Sequence, residues 1–253
     1  MSFNQIKAHL NLHAVLQNLE DLVAHDPQTA QLTKDWRISI QFSVKGGPSA
    51  FVEFENGRCR VGPGNHPSPS VRLFFTSPEH LNKMMDGKAN PIPLKGFTRL
   101  GFLSKEFPKA TDRLEHFLKP TPERLADAGY LALNTQMTLN TAAFCVPHLA
   151  RLDPLARTIA HHIQDGTVLI KVLPDGPAAS IRFAGGHIEA QKSEPQTPMA
   201  VLFLKDIGVA NDFFNGKLDL FTAVAMGDVI IKGQTPMLDA LGLILDRIPA
   251  YLN

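Results

Sequence analysis

The residues able to do chemistry are few, and their spacing assembles no site. The chain has ten His and two Cys. His9 and His13 stand at i and i+4, which places two candidate metal ligands on one helix face. No H-E-x-x-H and no nearby Cys or carboxylate pair completes them, so they read as helix-edge histidines, and neither a metal nor a cofactor is expected. His161 and His162 are adjacent and therefore point in different directions on a helix. Cys59 and Cys145 lie far apart, form no C-x-x-C and have no paired His; they read as structural thiols of a reducing, cytoplasmic compartment. There is no G-x-S-x-G elbow and no G-x-x-x-x-G-K-[ST] loop. Gly62-Pro63-Gly64-Asn65-His66 is glycine-rich, but it follows a strand and enters no helix, so it makes a poor phosphate cradle. Lys88 and Lys217 each follow a helix-capping glycine. They answer either the negative end of a helix dipole or the head group of a ligand. No catalytic residue emerges, and the expectation is a protein that is not an enzyme.

Composition narrows the classes further. The 253 residues carry 25 basic and 24 acidic side chains, a net charge of +1, with 44% hydrophobic and 19% charged residues. That is enough apolar material for a core and too little clustered basic charge for general nucleic-acid binding. No apolar stretch reaches the ~18–20 residues of a membrane span. The first ten residues carry Asn4, Gln5, Lys7 and His9 where a signal peptide would be apolar, so export is not expected. The chain has 16 Phe against 1 Trp and 2 Tyr, an apolar aromatic content with few polar handles.

The elements that would position such residues occur twice. Sliding the sequence by 129 residues aligns 47–89 with 176–218 without a gap, and eleven of the 43 pairs are identical. Average residue usage would give roughly 2–3. The matches include Gly47/Gly176, Pro48/Pro177, Gly57/Gly186, Asn82/Asn211 and Gly87/Gly216. Two copies of one module are expected, near 37–118 and 167–248, each behind a helical segment (3–25 and 122–164). Division between the prolines at 120 and 122 gives domains 1–120 and 121–253. Within a copy, residues 37–44 alternate apolar and polar without a miss, 50–55 alternate again, and Asn56-Gly57 signals a hairpin to a third strand. A Pro-rich loop, a short apolar strand and a capped helix ending at glycine follow. The fold class is α+β: in each module a largely antiparallel five-stranded sheet covered by helices.

One stretch resembles a known family. Asn215-Gly216-Lys217-Leu218, then Gly227-Asp228-Val229-Ile230-Ile231-Lys232-Gly233, then a Met- and Leu-rich helix, is similar to the C-terminal half of the sterol carrier protein type 2 (SCP2) domain. The resemblance covers 167–248 directly and 37–118 through the repeat. In the first copy Gly87-Lys88 is kept, Ala89 stands against Leu218, and Gly96-Phe97-Thr98-Arg99-Leu100-Gly101 only loosely echoes the glycine-bounded strand. The resemblance implies a sandwich whose sheet and helices enclose an apolar cavity for a sterol, fatty acid, acyl-CoA or phospholipid, with no catalytic apparatus. Similar modules serve as carriers, as accessory factors of isoprenoid-quinone synthesis and as appendages of alkylsulfatases.

The candidate lipid walls are the residues expected to face the helix layer. In the second copy these are Phe203, Phe213, Phe214, Phe221, Ile230, Met237 and Leu241. In the first they are Phe54, Phe74, Met84, Met85, Phe102 and Phe107. Ordinary core packing is the competing reading of each. Residues 3–25 place Leu12, Val15, Leu16, Leu19, Leu22 and Val23 on one stripe. The segment 124–164 is longer than a module needs; ordinary core packing is the favoured use of both helical segments, and covering a tunnel mouth, joining the modules or forming a homodimer interface are the alternatives. Transient membrane contact would suit a carrier, although these helices are weakly basic. The alternative class is a protein–protein interaction module associated with a lipid-related enzyme.

Overall fold

The computed structural model describes residues 1–252 and divides into two compact units, Met1–Lys119 and Pro120–Tyr251. In the first, a leading helix α1 (Phe3–Leu10) passes through a π turn at Asn11–Val15 into α2 (Asn18–His25) and α3 (Pro27–Thr33). The π turn is marked by the Leu16 amide donating to the Asn11 carbonyl at 3.0 Å. Leu12, Leu16, Leu19, Leu22 and Val23 are all buried, as the stripe requires; Val15 is half-buried. Strands β1 (Ile38–Val44), β2 (Ser49–Glu55), β3 (Arg58–Pro63) and β4 (Val71–Phe75) follow, then α4 (Pro78–Met85), β5 (Ile92–Lys95), α5 (Leu100–Lys105) and α6 (Phe107–Leu118).

The sheet order is β3-β2-β1-β4-β5. The β1–β4 pair is parallel and the rest antiparallel, so the sheet is mixed. Register sorts the side chains. Ile40 stands beside Val52 and Val71, and Phe42 beside Ala50 and Leu73. These residues form the apolar, fully buried face. Ser39, Gln41, Phe51, Glu53 and Arg60 project to the other side by alternation.

The second unit repeats this plan. After α7 (Pro122–Leu125), the 25-residue helix α8 (Ala128–Leu152) and α9 (Pro154–Ala160) come β6 (Gly166–Val172), β7 (Ala178–Ala184), β8 (His187–Gln191) and β9 (Ala200–Leu204). Then follow α10 (Ile207–Phe214), α11 (Leu220–Ala225), β10 (Val229–Gly233), α12 (Thr235–Leu245) and α13 (Pro249–Leu252). The order β10-β9-β6-β7-β8 is that of the first sheet, with β6–β9 parallel.

The repeat reaches further than 47–89. Both leading helices end at Asp-Pro, Asp26-Pro27 and Asp153-Pro154, where the aspartate caps the next short helix. Asp26 accepts from the Thr29 amide at 3.0 Å and Asp153 from the Ala156 amide at 2.8 Å. Each carboxylate also meets an arginine of the closing helical segment: Arg113 on α6 at 2.8 Å, and Arg247 just beyond α12 at 3.2 Å. Asp153 takes a third bond from the Tyr251 hydroxyl at 2.6 Å. Segment 124–164 is therefore the counterpart of the leading helices of unit 1, not a surplus insert. The repeated asparagine has a reason too. Asn82 bonds Asn4 and accepts from Asn11, while Asn211 bonds Asn134 and Thr135, so each fastens the mid-unit helix to the leading one.

The fifth strand of unit 1 corrects a sequence expectation. It is Ile92–Lys95, closed by Gly96, and not the 96–101 stretch. Gly96 at φ +88° matches Gly233 at φ +81°, and a Cβ on either would strike the carbonyl oxygen of the residue before the neighbouring strand, Ser70 or Met199. Pro93 is tolerated because β5 is an edge strand. The short helix follows this strand in unit 1 (α5) and precedes it in unit 2 (α11).

Candidate functional site

In unit 1 the buried face of the sheet ends in an aromatic cluster. Phe54, paired with Ile38 and Cys59, is 1% exposed. The Trp36 ring, just before β1, meets Phe54 edge-on at 5.0 Å and Phe102 of α5 at 4.7 Å. Phe107, the first residue of α6, meets Phe54 at 6.4 Å. Trp36, Phe102 and Phe107 are half-buried, so the cluster combines a closed floor with walls that reach the surface. Edge-to-face contact is the packing that aromatic quadrupoles favour, so these rings form one contiguous apolar cluster. Trp36 was absent from the expected walls. Its signal was its position, the chain's one Trp placed directly before an alternating strand.

The other expected residues disperse. Met84 and Met85 are half-buried on α4. Phe74 sits between two buried residues of β4, Leu73 and Phe75, and therefore faces the opposite side of the sheet. The same holds in unit 2 for Phe203, between Leu202 and Leu204, and for Ile230, its register partner on β10. The expectation that these three face the helix layer is corrected by strand alternation. Lys232 lies over the Phe203 ring at 5.5 Å. Met237 and Leu241 are buried on α12. Phe213 and Phe214 contact each other edge-on at 5.8 Å and are half-buried. Phe221 is 85% exposed on α11.

The glycine-rich loop of unit 1 covers the polar face. Gln41, fully buried, donates to the carbonyls of Phe42, Ala50 and Gly64 and accepts from the His66 amide at 2.7 Å. His66 reaches Glu53 at 3.0 Å, and Arg60 bonds the same carboxylate at 2.8 Å. The Arg60 hydrogen bond is the main reason the Glu53 carboxyl lies below its ordinary range. Beside it runs an open polar groove of about 490 Å³ lined by Glu53, Glu55, Asn56, Arg58 and Arg60. In unit 2 Leu169 stands opposite Ser180 where unit 1 has Gln41 opposite Phe51.

The amides of Lys88 and Lys217 donate to the carbonyls of Lys83 and Asp212, completing the capped ends of α4 and α10. Cys145 is buried, and burial alone pushes its thiol far up. His9 and His13 bring their rings to 5.6 Å. Among the described residues no group of three or more His, Cys, Asp or Glu is placed to hold a metal ion, and no helix is long and apolar enough to cross a membrane.

Residues 16–100 match the model of the SCP-2 sterol transfer family. That match falls on unit 1, whereas the motif resemblance lay mainly in unit 2. No curated protein matches the chain. Among solved structures, the chain is similar to sterol carrier protein 2 from Yarrowia lipolytica in its apo form: 11% identity over 42% of this chain and 92% of that one, TM-score 0.33. It is also similar to the sterol carrier protein domain 2 of Helicoverpa armigera, at 15% identity over 46% and 91%, TM-score 0.35. A third is the inverting sec-alkylsulfatase Pisa1 from Pseudomonas sp., at 14% over 58% and 29%, TM-score 0.26. Unit 1 is thus similar to the SCP-2 sterol transfer family, and unit 2 rebuilds the same sheet order as a tandem copy.

Proposed function

We propose that the chain binds and carries a hydrophobic ligand, of the class of sterols, fatty acids, acyl-CoAs or phospholipids, in the cytoplasm and without catalysis. The observation that supports this most directly is the Trp36–Phe54–Phe102–Phe107 cluster, a closed apolar floor with half-exposed aromatic walls inside the family-matched unit. Each buried methylene contributes about 0.8 kcal/mol, so an acyl chain or fused ring needs few polar contacts to be held there. Trp36 is the only indole, which makes the test simple. Titrating the full chain with a long-chain fatty acid and with a sterol should shift its emission saturably, and native mass spectrometry should find copurified lipid. An unchanged spectrum together with a ligand-free mass would sink the proposal.

A second reading applies to unit 2. Phe221 in the first turn of α11 and Met226 at its C-terminal cap are 85% and 72% exposed, and a protein partner would bury them. A stoichiometric protein partner recovered with lipid-free chain would favour that interaction role.

A further inference from the structure

Both units expose apolar residues on the fifth strand and on the short helix next to it in sequence, but their charges differ. In unit 1 Ile92, Leu94, Phe97 and Leu100 are 41%, 52%, 63% and 42% exposed. They are interleaved with Lys88, Lys95, Arg99, Lys105 and Lys109, all exposed, and residues 88–109 hold one acid, Glu106. Glu106 pairs with Lys109 at 2.9 Å. Lys95 is held to the Pro69 carbonyl at 2.6 Å, which fixes it beside the strand. In unit 2 the corresponding stretch, 217–232, sets Lys217 and Lys232 against Asp219 and Asp228. Its exposed Phe221, Val224, Met226 and Ile230 therefore sit in a neutral frame.

We infer that the β5–α5 edge of unit 1 is a docking surface for an anionic lipid bilayer. Exposed Phe and Leu enter the boundary between head groups and acyl chains, while surrounding Lys and Arg meet the lipid charges. Neither contribution alone holds a protein on a membrane; the two together on one short segment do. The chain's overall neutrality does not oppose this, because the surface potential acts over about one Debye length and is felt by the local charge. Phe102, the ring that meets Trp36 at 4.7 Å, belongs to α5, which places the candidate ligand cluster next to the docked edge. The purpose of the contact rests on the carrier reading; the contact itself does not.

The test is sedimentation of the full chain with vesicles of pure phosphatidylcholine and with vesicles containing about 30% phosphatidylglycerol. The chain should bind the anionic vesicles at least tenfold more tightly and lose that preference in about 0.5 M salt. Each basic residue at the surface is worth about fivefold, so Arg99→Glu with Lys105→Glu should lower binding more than tenfold. Phe97→Ser should lower it several-fold on the same vesicles. Lys217→Glu with Lys232→Glu should change nothing. Equal binding to both vesicle types, no binding to either, or concentration-dependent self-association that vesicles do not relieve would overturn the inference. The salt series uses the unaltered chain and needs no variant to fold. Trp36 titration with soluble fatty acid, run in parallel, shows whether ligand uptake stands or falls separately.

Discussion

Two regions that occupy the same place in the repeat, the face of each sheet opposite its fully apolar one, are built on opposite choices. In unit 1 the central strand offers Gln41 and its neighbour an aromatic ring, Phe51, and the loop 62–66 folds down to be hydrogen-bonded. In unit 2 the central strand offers Leu169 and its neighbour a small polar residue, Ser180, and Lys171 pairs outward with Glu194. The apolar faces are nevertheless the same, strand for strand. The difference teaches which features the architecture requires and which are local. Sheet order, the capping aspartate with its arginine, the helix-fastening asparagine and the glycine closing the fifth strand appear in both units. The polar network, the aromatic cluster and the basic edge belong to one.

The shared features should be costly to remove in either unit. Asp153→Ala strips a helix cap, an arginine partner and the Tyr251 acceptor, and should cost about 3–5 kcal/mol; Asp26→Ala should fall near the lower end. Urea denaturation measures both, and a loss below about 1 kcal/mol in either would break the equivalence. These carboxylates also set an acid limit. Burial pushes each of them up, but hydrogen bonds from Arg113 and Thr29, or from Tyr251, Ala156 and Arg247, more than offset it, so both lie below the ordinary aspartate value. A folded pKa below the unfolded one means stabilisation that is complete at neutral pH and lost as pH falls below about 4. The two alanine variants should show a shallower acid limb.

Gly233→Ala should cost about 2 kcal/mol or more and Gly96→Ala somewhat less, because each has positive φ and a backbone oxygen where the Cβ would go. Thermal unfolding reads both, and a neutral result at one would show that the two fifth strands close differently. Gln41→Leu imposes the choice of unit 2 on unit 1. It should cost about 2 kcal/mol, since the His66 amide and the Gly64 carbonyl lose their partner. Hydrogen exchange should localise the loss to 62–66. The smallest effect is Phe102→Ala, which opens the wall beside Trp36. It should change fatty-acid affinity by about fivefold, near 1 kcal/mol, with the largest change for the bulkiest ligand. Trp36 emission measures it, and identical affinities across ligand sizes would remove Phe102 from the site.

Much of the repeat was legible because alternation and turn chemistry are local. The strand at 38–44, the Asn56-Gly57 hairpin and the capped helix at Ser77-Pro78 were all readable from adjacent residues. Three things were not. The helical halves share Asp-Pro and a few buried polar residues, too little identity to align without knowing that Arg113 and Arg247 come back to meet them. The fifth strand of unit 1 holds Pro93 and reads as a loop until its edge position excuses the missing donor. The face of Phe74 and Phe203 depends on register, and one residue of slip reverses it. The candidate ligand cluster was half legible: Phe54, Phe102 and Phe107 were expected, while Trp36 lay just outside the pattern that named them.

The aspartate–arginine pairs span 87 and 94 residues of sequence, more than half of each unit. Contacts of that range form only after the intervening chain is in place, because loop closure must be offset by structure already made. During synthesis the capping aspartate of unit 1 has no partner until residue 113 has emerged, and that of unit 2 until residue 247 has. Each unit is fastened by its last helical segment, so a chain cut short before either arginine leaves a buried carboxylate without its counter-charge in the unit it was about to complete.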